Sequence, residues 1–182
     1  MNNNLQNNKT FRLVLAALFT ALTAVATLVI RIPSPMNGYV NLGDVIVLMS
    51  GWMLGPVWGT FAAGVGSMLA DLIAGYAVYA PGTLVIKAIC ALTASLIFRA
   101  LKKDAEKHVI RITKRVFSAL ISEMIMVAGY FGYAAILMGN GLSAALSIPG
   151  NCTQAVVGIL LGTIITEVLM RNGRIREYLG KS

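Results

Sequence analysis

Charged residues are scarce in this sequence, and acidic residues are the scarcest of them. Asp and Glu together number only 7 in 182 residues, and charged residues of both signs make up 12% of the chain. That is about half the charged share of an ordinary soluble domain. Hydrophobic residues supply 57% and the mean hydropathy is +0.76. The composition therefore excludes an ordinary soluble domain and indicates one integral membrane domain.

The sequence also lacks the motifs of the common enzyme classes. It contains no P-loop, no H-E-x-x-H, no G-x-S-x-G and no paired-carboxylate signature, and its one histidine, His108, lies in a basic segment. Cys90 and Cys152 lack the spacing and the histidine neighbours of a metal or redox motif. We therefore expect no catalytic residue, no metal and no cofactor, and any energy from ATP has to come from another chain.

Six apolar runs dominate what is present. A helix rises about 1.5 Å per residue, so about 20 residues are needed to cross the hydrocarbon core of a bilayer. The runs reach or approach this length, and the second is short. They are Phe11–Ile30, Asp44–Leu54, Val57–Ile73, Thr83–Leu101, Val116–Met138 and Pro149–Met170. The sequence predicts an all-α integral membrane protein, a six-transmembrane-helix bundle.

Only Gly55 and Pro56 separate the second run from the third. Proline has no amide proton and starts a helix more readily than it continues one. The pair therefore predicts a tight turn between two helices. One long kinked helix is the alternative, and it would leave an odd number of crossings.

Lys and Arg are concentrated before the first run, between the fourth and fifth, and after the sixth. Because such residues collect in cytoplasmic loops, both termini are predicted to be cytoplasmic. A polar tail is expected over residues 1–10, a six-helix membrane domain over 11–171 and a basic tail over 172–182. Three external segments, rich in Gly, Pro, Asn, Ser and Tyr, are candidate lids over a cavity. They are Ile32–Gly43, Ala74–Gly82 and Gly139–Ile148.

Ionisable side chains inside a bilayer are costly and mark functional positions. Counting about 1.5 Å per residue from the helix ends places Asp71 and Lys87 nearly level, in the outer third of the membrane. Four other polar side chains count to the same depth. The candidate substrate-binding layer consists of Asp71, Lys87, Tyr130, Tyr133, Asn151 and Gln154.

Other interpretations of this layer stay open. Asp71 and Lys87 can instead form an ion pair that braces two helices, and Tyr130 and Tyr133 can belong to the aromatic belt of a membrane interface. Glu123 is also embedded, but it counts to a deeper level and is not assigned to the layer.

Small residues at four-residue spacing let membrane helices approach closely. Ala17 and Ala21 form such a pair in the first run. That run begins directly at the predicted cytoplasmic face, so the pair is a candidate docking site for a second membrane protein.

Four motifs between Gly38 and Leu92 carry a family resemblance. They are N-L-G-D at Asn41–Asp44, L-G-P at Leu54–Pro56, A-D-L-I-A-G-Y at Ala70–Tyr76 and Y-A-P-G-T-L-V-I-K at Tyr79–Lys87. With these motifs and its six-run layout, the chain resembles the substrate-binding membrane subunit, or S component, of energy-coupling-factor (ECF) vitamin transporters, in the riboflavin-type branch.

The resemblance implies a binding subunit in a bacterial plasma membrane that captures a vitamin from outside. Its implied partners are a membrane coupling subunit and two cytoplasmic ATPase subunits, and it implies that the subunit topples to release its ligand. The docking motif of that family, A-x-x-x-A, matches Ala17 and Ala21. Ligands of pyridoxine or hydroxymethylpyrimidine size are favoured over riboflavin, because the polar layer suits a small aromatic ring.

Two other functions stay open at this point. One is a self-sufficient ion-coupled carrier of a small polar solute, in which Asp71 or Glu123 would titrate during transport. The other is a structural membrane protein that binds no ligand.

Overall fold

The computed structural model describes residues 9–34, 38–101, 108–173 and 175. Most of both predicted tails, and residues 102–107 of the basic segment between the fourth and fifth runs, lie outside the described residues. The described elements are, in chain order, α1 (Lys9–Val29), β1 (Arg31–Ser34), β2 (Gly38–Asn41), α2 (Gly43–Ala74), α3 (Ala80–Leu101), α4 (His108–Gly132), a π-helical turn (Tyr133–Leu137), a 3₁₀ helix (Gly141–Ser147) and α5 (Ile148–Arg171).

Five helices in the described part of the chain are long and apolar enough to cross a membrane. They are Lys9–Val29, Gly43–Ala74, Ala80–Leu101, Val109–Leu137 and Gly141–Arg171. The prediction of a helical, multi-pass membrane protein is thereby confirmed. The antiparallel hairpin of β1 and β2, which pairs Arg31 with Asn41 and Ile32 with Val40, was not predicted.

The backbone of α2 reverses direction at Gly55. That residue has φ 84° and ψ −176°, a region that is essentially restricted to glycine. The hydroxyl of Ser50 donates to the carbonyl of Gly59 at 3.2 Å, although nine residues of straight helix would separate them by about 13 Å. Segments 43–54 and 56–74 therefore pack side by side, as the Gly55–Pro56 pair predicts, and a single kinked helix is incompatible with this contact.

The two packed segments of α2 form the centre of the bundle, whereas α1 lies at its edge. Val47, Leu48 and Met53 of α2 are at most 1% exposed. In α1 one face packs inward, and Thr23 and Thr27 on that face donate to the carbonyls four residues earlier, at 2.8 Å each. These bonds give the two hydroxyl groups acceptors inside the helix, which neither lipid nor apolar side chains can provide.

The two ends of the bundle differ in chemistry. The strands β1 and β2 lie at one end, which we call the hairpin end. At the other, the basic end, Arg111 donates to both carboxylate oxygens of Glu167 at 3.0 and 2.7 Å, and Arg115 donates to the same carboxylate. The guanidinium of Arg115 also lies 5.1 Å from the ring centre of Phe98.

Candidate functional site

A polar cavity opens at the hairpin end. Together with its open mouth it encloses about 510 Å³ of empty space. Its lining comes from the hairpin, from four helices and from the connections between them. The lining residues are Tyr39, Asn41, Asp71, Tyr76, Tyr79, Thr83, Tyr130, Ala134, Ser147, Asn151 and Gln154.

Four of the six residues of the candidate layer line this cavity: Asp71, Tyr130, Asn151 and Gln154. Tyr133 does not. Its hydroxyl donates to the carbonyl of Val78 at 2.7 Å and its ring centre lies 6.0 Å from that of Tyr79. Tyr133 therefore anchors the connection between α2 and α3 rather than facing the cavity.

Lys87 is placed differently from the expectation. It is 3% exposed and forms an ion pair with Asp44, which is 1% exposed. The ion pair between Asp71 and Lys87 that the sequence left open is thus wrong, because Asp44, the first residue of the second predicted run, lies inside the bundle and pairs with the ammonium group. Lys87 lies behind the cavity wall, with its Nζ 5.3 Å from the ring centre of Tyr130.

Asp71 is held by the hairpin. The hydroxyl of Tyr39 donates to Oδ1 of Asp71 at 2.6 Å, and the ring centre of Tyr39 lies 4.6 Å from that of Tyr76. Burial, followed by the hydrogen bond to Asp71, raises the pKa of Tyr39 well above its ordinary value. The phenol therefore keeps its proton and remains a donor to the carboxylate throughout the physiological pH range.

Gln154 connects the cavity to the buried ion pair. Its Oε1 accepts the backbone N–H of Asn41 at 2.8 Å, and its Nε2 donates to Oδ2 of Asp44 at 2.5 Å. Hairpin, α2 and α5 are thereby joined through one side chain. Such cross-linking holds the cavity floor in one arrangement.

Tyrosine rings form much of the remaining wall. Tyr39, Tyr76, Tyr79 and Tyr130 all line the cavity, and burial raises the pKa of Tyr79 as well. Aromatic faces stack on planar rings, while the carboxylate and amides supply hydrogen bonds at the edges. In the described residues no three His, Cys, Asp or Glu side chains come together as metal ligands.

Sequence reasoning missed most of the lining that the connections contribute. Each of the three segments predicted to be lids contributes to the lining. The first contributes Tyr39 and Asn41, the second Tyr76 and Tyr79, and the third Ser147. The signal was their unusual Tyr, Asn and Ser content, but counting depth along helices assigns no place to a residue in a loop.

Two other predicted positions lie away from the cavity. Ala17 and Ala21 are exposed on α1, on a face that also exposes Leu18 and Leu22. Glu123 is 1% exposed, and neither of its carboxylate oxygens has a hydrogen-bond partner among the described residues.

Known proteins share this sequence pattern and this fold. The family model described as ECF-type riboflavin transporter, S component, matches residues 7–171. A protein of Pyrococcus woesei described as "Uncharacterized protein in gap 3'region" is 36% identical over 148 residues, which cover 81% of this chain and 93% of that protein. The thiamine precursor transporter HmpT of Lactococcus lactis subsp. cremoris (strain MG1363) is 26% identical over 178 residues, which cover 96% and 97%.

The fold is similar to a solved structure described as the S component of a bacterial ECF transporter. The TM-score is 0.67 at 20% identity, covering 90% of this chain and 98% of that one. This likeness shows the shared fold alone, whereas the family model spans the membrane helices of the sequence itself. The chain therefore belongs to the S-component family of riboflavin-type ECF transporters, which are substrate-binding transport subunits rather than enzymes.

Proposed function

We propose that this chain captures a small heteroaromatic vitamin or vitamin precursor in the cavity at the hairpin end. The observation that carries the proposal is the cavity itself, in which tyrosine faces surround the Asp71 carboxylate and the amides of Asn151 and Gln154. A ring of pyridoxine or hydroxymethylpyrimidine size fits this chemistry better than the larger riboflavin. The near full-length similarity to a thiamine precursor transporter supports the same size class.

The substrate contacts that we propose are Asp71, Tyr130, Asn151 and Gln154. Lys87 acts on the ligand only through Asp44 and Gln154, and Tyr133 acts by holding the connection above the cavity. These assignments rest on which side chains face the cavity and on the bonds that Lys87 and Tyr133 make elsewhere.

In this proposal six helical segments cross the membrane, because each half of α2 counts as one crossing. Both termini are cytoplasmic, the tails 1–10 and 172–182 flank the membrane domain 11–171, and the hairpin end faces outside a bacterial plasma membrane. The reversal at Gly55 and the arginines at the basic end support this orientation.

Energy for release comes, in the same proposal, from two ATPase subunits through a membrane coupling subunit. The exposed stripe of Ala17 and Ala21 on α1 is the proposed contact with that partner. Small side chains suit close helix packing in lipid, and the chain has no nucleotide-binding motif of its own.

The test is ligand identification followed by transport. Native mass spectrometry of the purified protein is expected to find a small heteroaromatic ligand, and calorimetry with that compound should give one binding site. In liposomes the chain alone should not accumulate the ligand, whatever ion gradient is applied. Uptake driven by an ion gradient without a partner would instead establish a self-sufficient carrier, and a protein without ligand affinity would leave a structural role.

A further inference from the structure

The side-chain amide of Gln154 is fixed in one orientation. Its Oε1 accepts from the backbone N–H of Asn41 and its Nε2 donates to the Asp44 carboxylate. A backbone N–H can only donate and a carboxylate can only accept. Rotating the amide by half a turn would therefore place two donors together at the partly buried contact with Asn41, and two oxygens together at the buried contact with Asp44.

Asp44 is itself fixed by Lys87. The ammonium group donates to Oδ1 of Asp44, and Oδ2 accepts from Gln154. Lysine has donors only, so Asp44 presents an acceptor to both neighbours. The order Lys87, Asp44, Gln154 is thus a chain of hydrogen bonds with one direction.

The side-chain amide of Gln154 has a second N–H that can donate a hydrogen bond. Its Nε2 carries two hydrogens, and one of them is bound to Asp44; no described residue accepts the other, although Gln154 lines the cavity. Asp71, which also lines the cavity, presents a carboxylate that already accepts from Tyr39. The site therefore offers a donor at Gln154 and an acceptor at Asp71.

We propose that Asp44 is a positioning residue that holds Gln154 as a hydrogen-bond donor, so that the site selects ring ligands with an unprotonated ring nitrogen or a carbonyl oxygen facing Gln154. The inference rests on the proposed capture of a heteroaromatic ligand. A ligand with a C–H at that place leaves the buried donor unpaired, which weakens binding roughly tenfold or more.

Two probes test this selection on the purified full-length protein by calorimetric titration. One is hydroxymethylpyrimidine, the aminopyrimidine alcohol, and the other is the benzene analogue with the same substituents and C–H at both ring-nitrogen positions. The unsubstituted protein is expected to prefer the pyrimidine roughly tenfold or more. Gln154→Met should remove this preference and keep the affinity for the benzene analogue, while Thr153→Val, an exposed neighbour, should change neither.

Asp44→Asn should also remove the preference. Lys87 has only donors to offer, so it takes the oxygen of the new amide and turns the amide nitrogen toward Gln154. Asp44→Asn combined with Lys87→Gln should restore the preference, because the amide at position 44 can then turn its oxygen to Gln154. The double variant also buries no charge, so it reports on the network even where Asp44→Asn alone does not fold.

The outcomes separate the two proposals. Equal affinity of the unsubstituted protein for both probes overturns the donor assignment and leaves the proposed function standing. Binding of neither probe contradicts the proposed substrate class, and this inference with it. An unchanged preference in folded Asp44→Asn, or a double variant that discriminates no better than Gln154→Met, overturns the positioning role of Asp44.

Discussion

At the level of single residues, the hairpin end is held by polar side chains that are paired across different elements. Tyr39 of β2 donates to Asp71 of α2, and Lys87 of α3 pairs with Asp44 of α2. Removing one partner of such a pair leaves the other buried without a partner, which costs more than the bond itself contributes.

Tyr39→Phe removes the hydroxyl that donates to Asp71 and keeps the ring that packs on Tyr76. A hydrogen bond to a charged group contributes about 1.5–3 kcal/mol, and we expect a loss of that size in thermal or denaturant unfolding. Because the pKa of Tyr39 is raised in the folded protein, its contribution is complete below the ordinary tyrosine pKa of about 10 and declines as the pH rises further. A difference between the two proteins that grows above pH 10 would contradict the assigned hydrogen bond.

Glu123→Gln should leave stability unchanged or raise it. Both carboxylate oxygens of Glu123 are buried without a partner in the described structure. Burying an uncharged amide of the same shape costs less free energy than burying a charged carboxylate. The matched comparison is Asp44→Asn, which breaks a buried ion pair and should cost about 3–5 kcal/mol. Unfolding in detergent measures both, and equal destabilisation by the two changes would mean that Glu123 has a partner.

At the level of elements, the most consequential feature is the reversal inside α2. It brings Asp44 and Asp71, at the two ends of this element, to the same end of the bundle, where one pairs with Lys87 and the other lines the cavity. A straight helix of 32 residues would hold its ends about 48 Å apart. The site therefore depends on the backbone conformation of one glycine.

Gly55→Ala should destabilise the protein more than Gly75→Ala. Both glycines have positive φ, 84° and 85°. Gly75, with ψ 11°, lies in the left-handed region, where a side chain costs about 1–2 kcal/mol, whereas Gly55, with ψ −176°, lies in a region essentially restricted to glycine. A Cβ at Gly55 would also displace the flexible guanidinium of Arg99, whereas nothing lies within 4 Å of one at Gly75, so the backbone conformation accounts for most of the expected difference. Thermal unfolding of both variants measures the difference, and an equal loss would show that the turn tolerates the side chain.

At the level of the whole molecule, the two ends of the bundle are chemically unlike, and this difference predicts how the protein sits in its membrane. The free Cys152 is exposed near the start of α5 and the free Cys90 is buried. Helix α5 starts at the hairpin end, where Asn151 and Gln154 line the cavity. The unsubstituted chain thus already contains one accessible thiol to report its orientation.

A membrane-impermeant maleimide applied to intact cells should label Cys152, because the hairpin end is proposed to face outside. Cys152→Ser should abolish the labelling, since Cys90 is buried. Labelling that requires permeabilised cells would reverse the proposed orientation.

Ala17→Trp or Ala21→Trp should abolish uptake in cells that supply the coupling subunits and leave ligand affinity within about twofold. Both residues are exposed on α1, and an indole there prevents close approach of a partner helix without reaching the cavity. Leu96→Trp, at a residue of α3 that is 50% exposed, is the matched control and should retain uptake. Loss of binding in the alanine variants would place this face in the ligand site instead.

Depth counting along the helices brought Asp71, Tyr130, Asn151 and Gln154 to one level, and the structure places all four around one cavity. It failed for Lys87 because depth says nothing about the direction in which a side chain points, and Lys87 points to Asp44. It missed Tyr39 because a residue in a hairpin has no helical register from which to count.

Apolar runs determined by themselves that this is a helical membrane protein, because bilayer thickness acts on local sequence. The Gly55–Pro56 pair favoured a reversal after Leu54 through proline chemistry, and the structure decided between the reversal and one kinked helix. Only the tertiary structure decided which buried charges pair. Asp44 and Lys87 are 43 residues apart in the chain, and Asp44 and Gln154 are 110 apart. Partners so distant meet only when the helices have packed, and that packing orients the amide that faces the cavity.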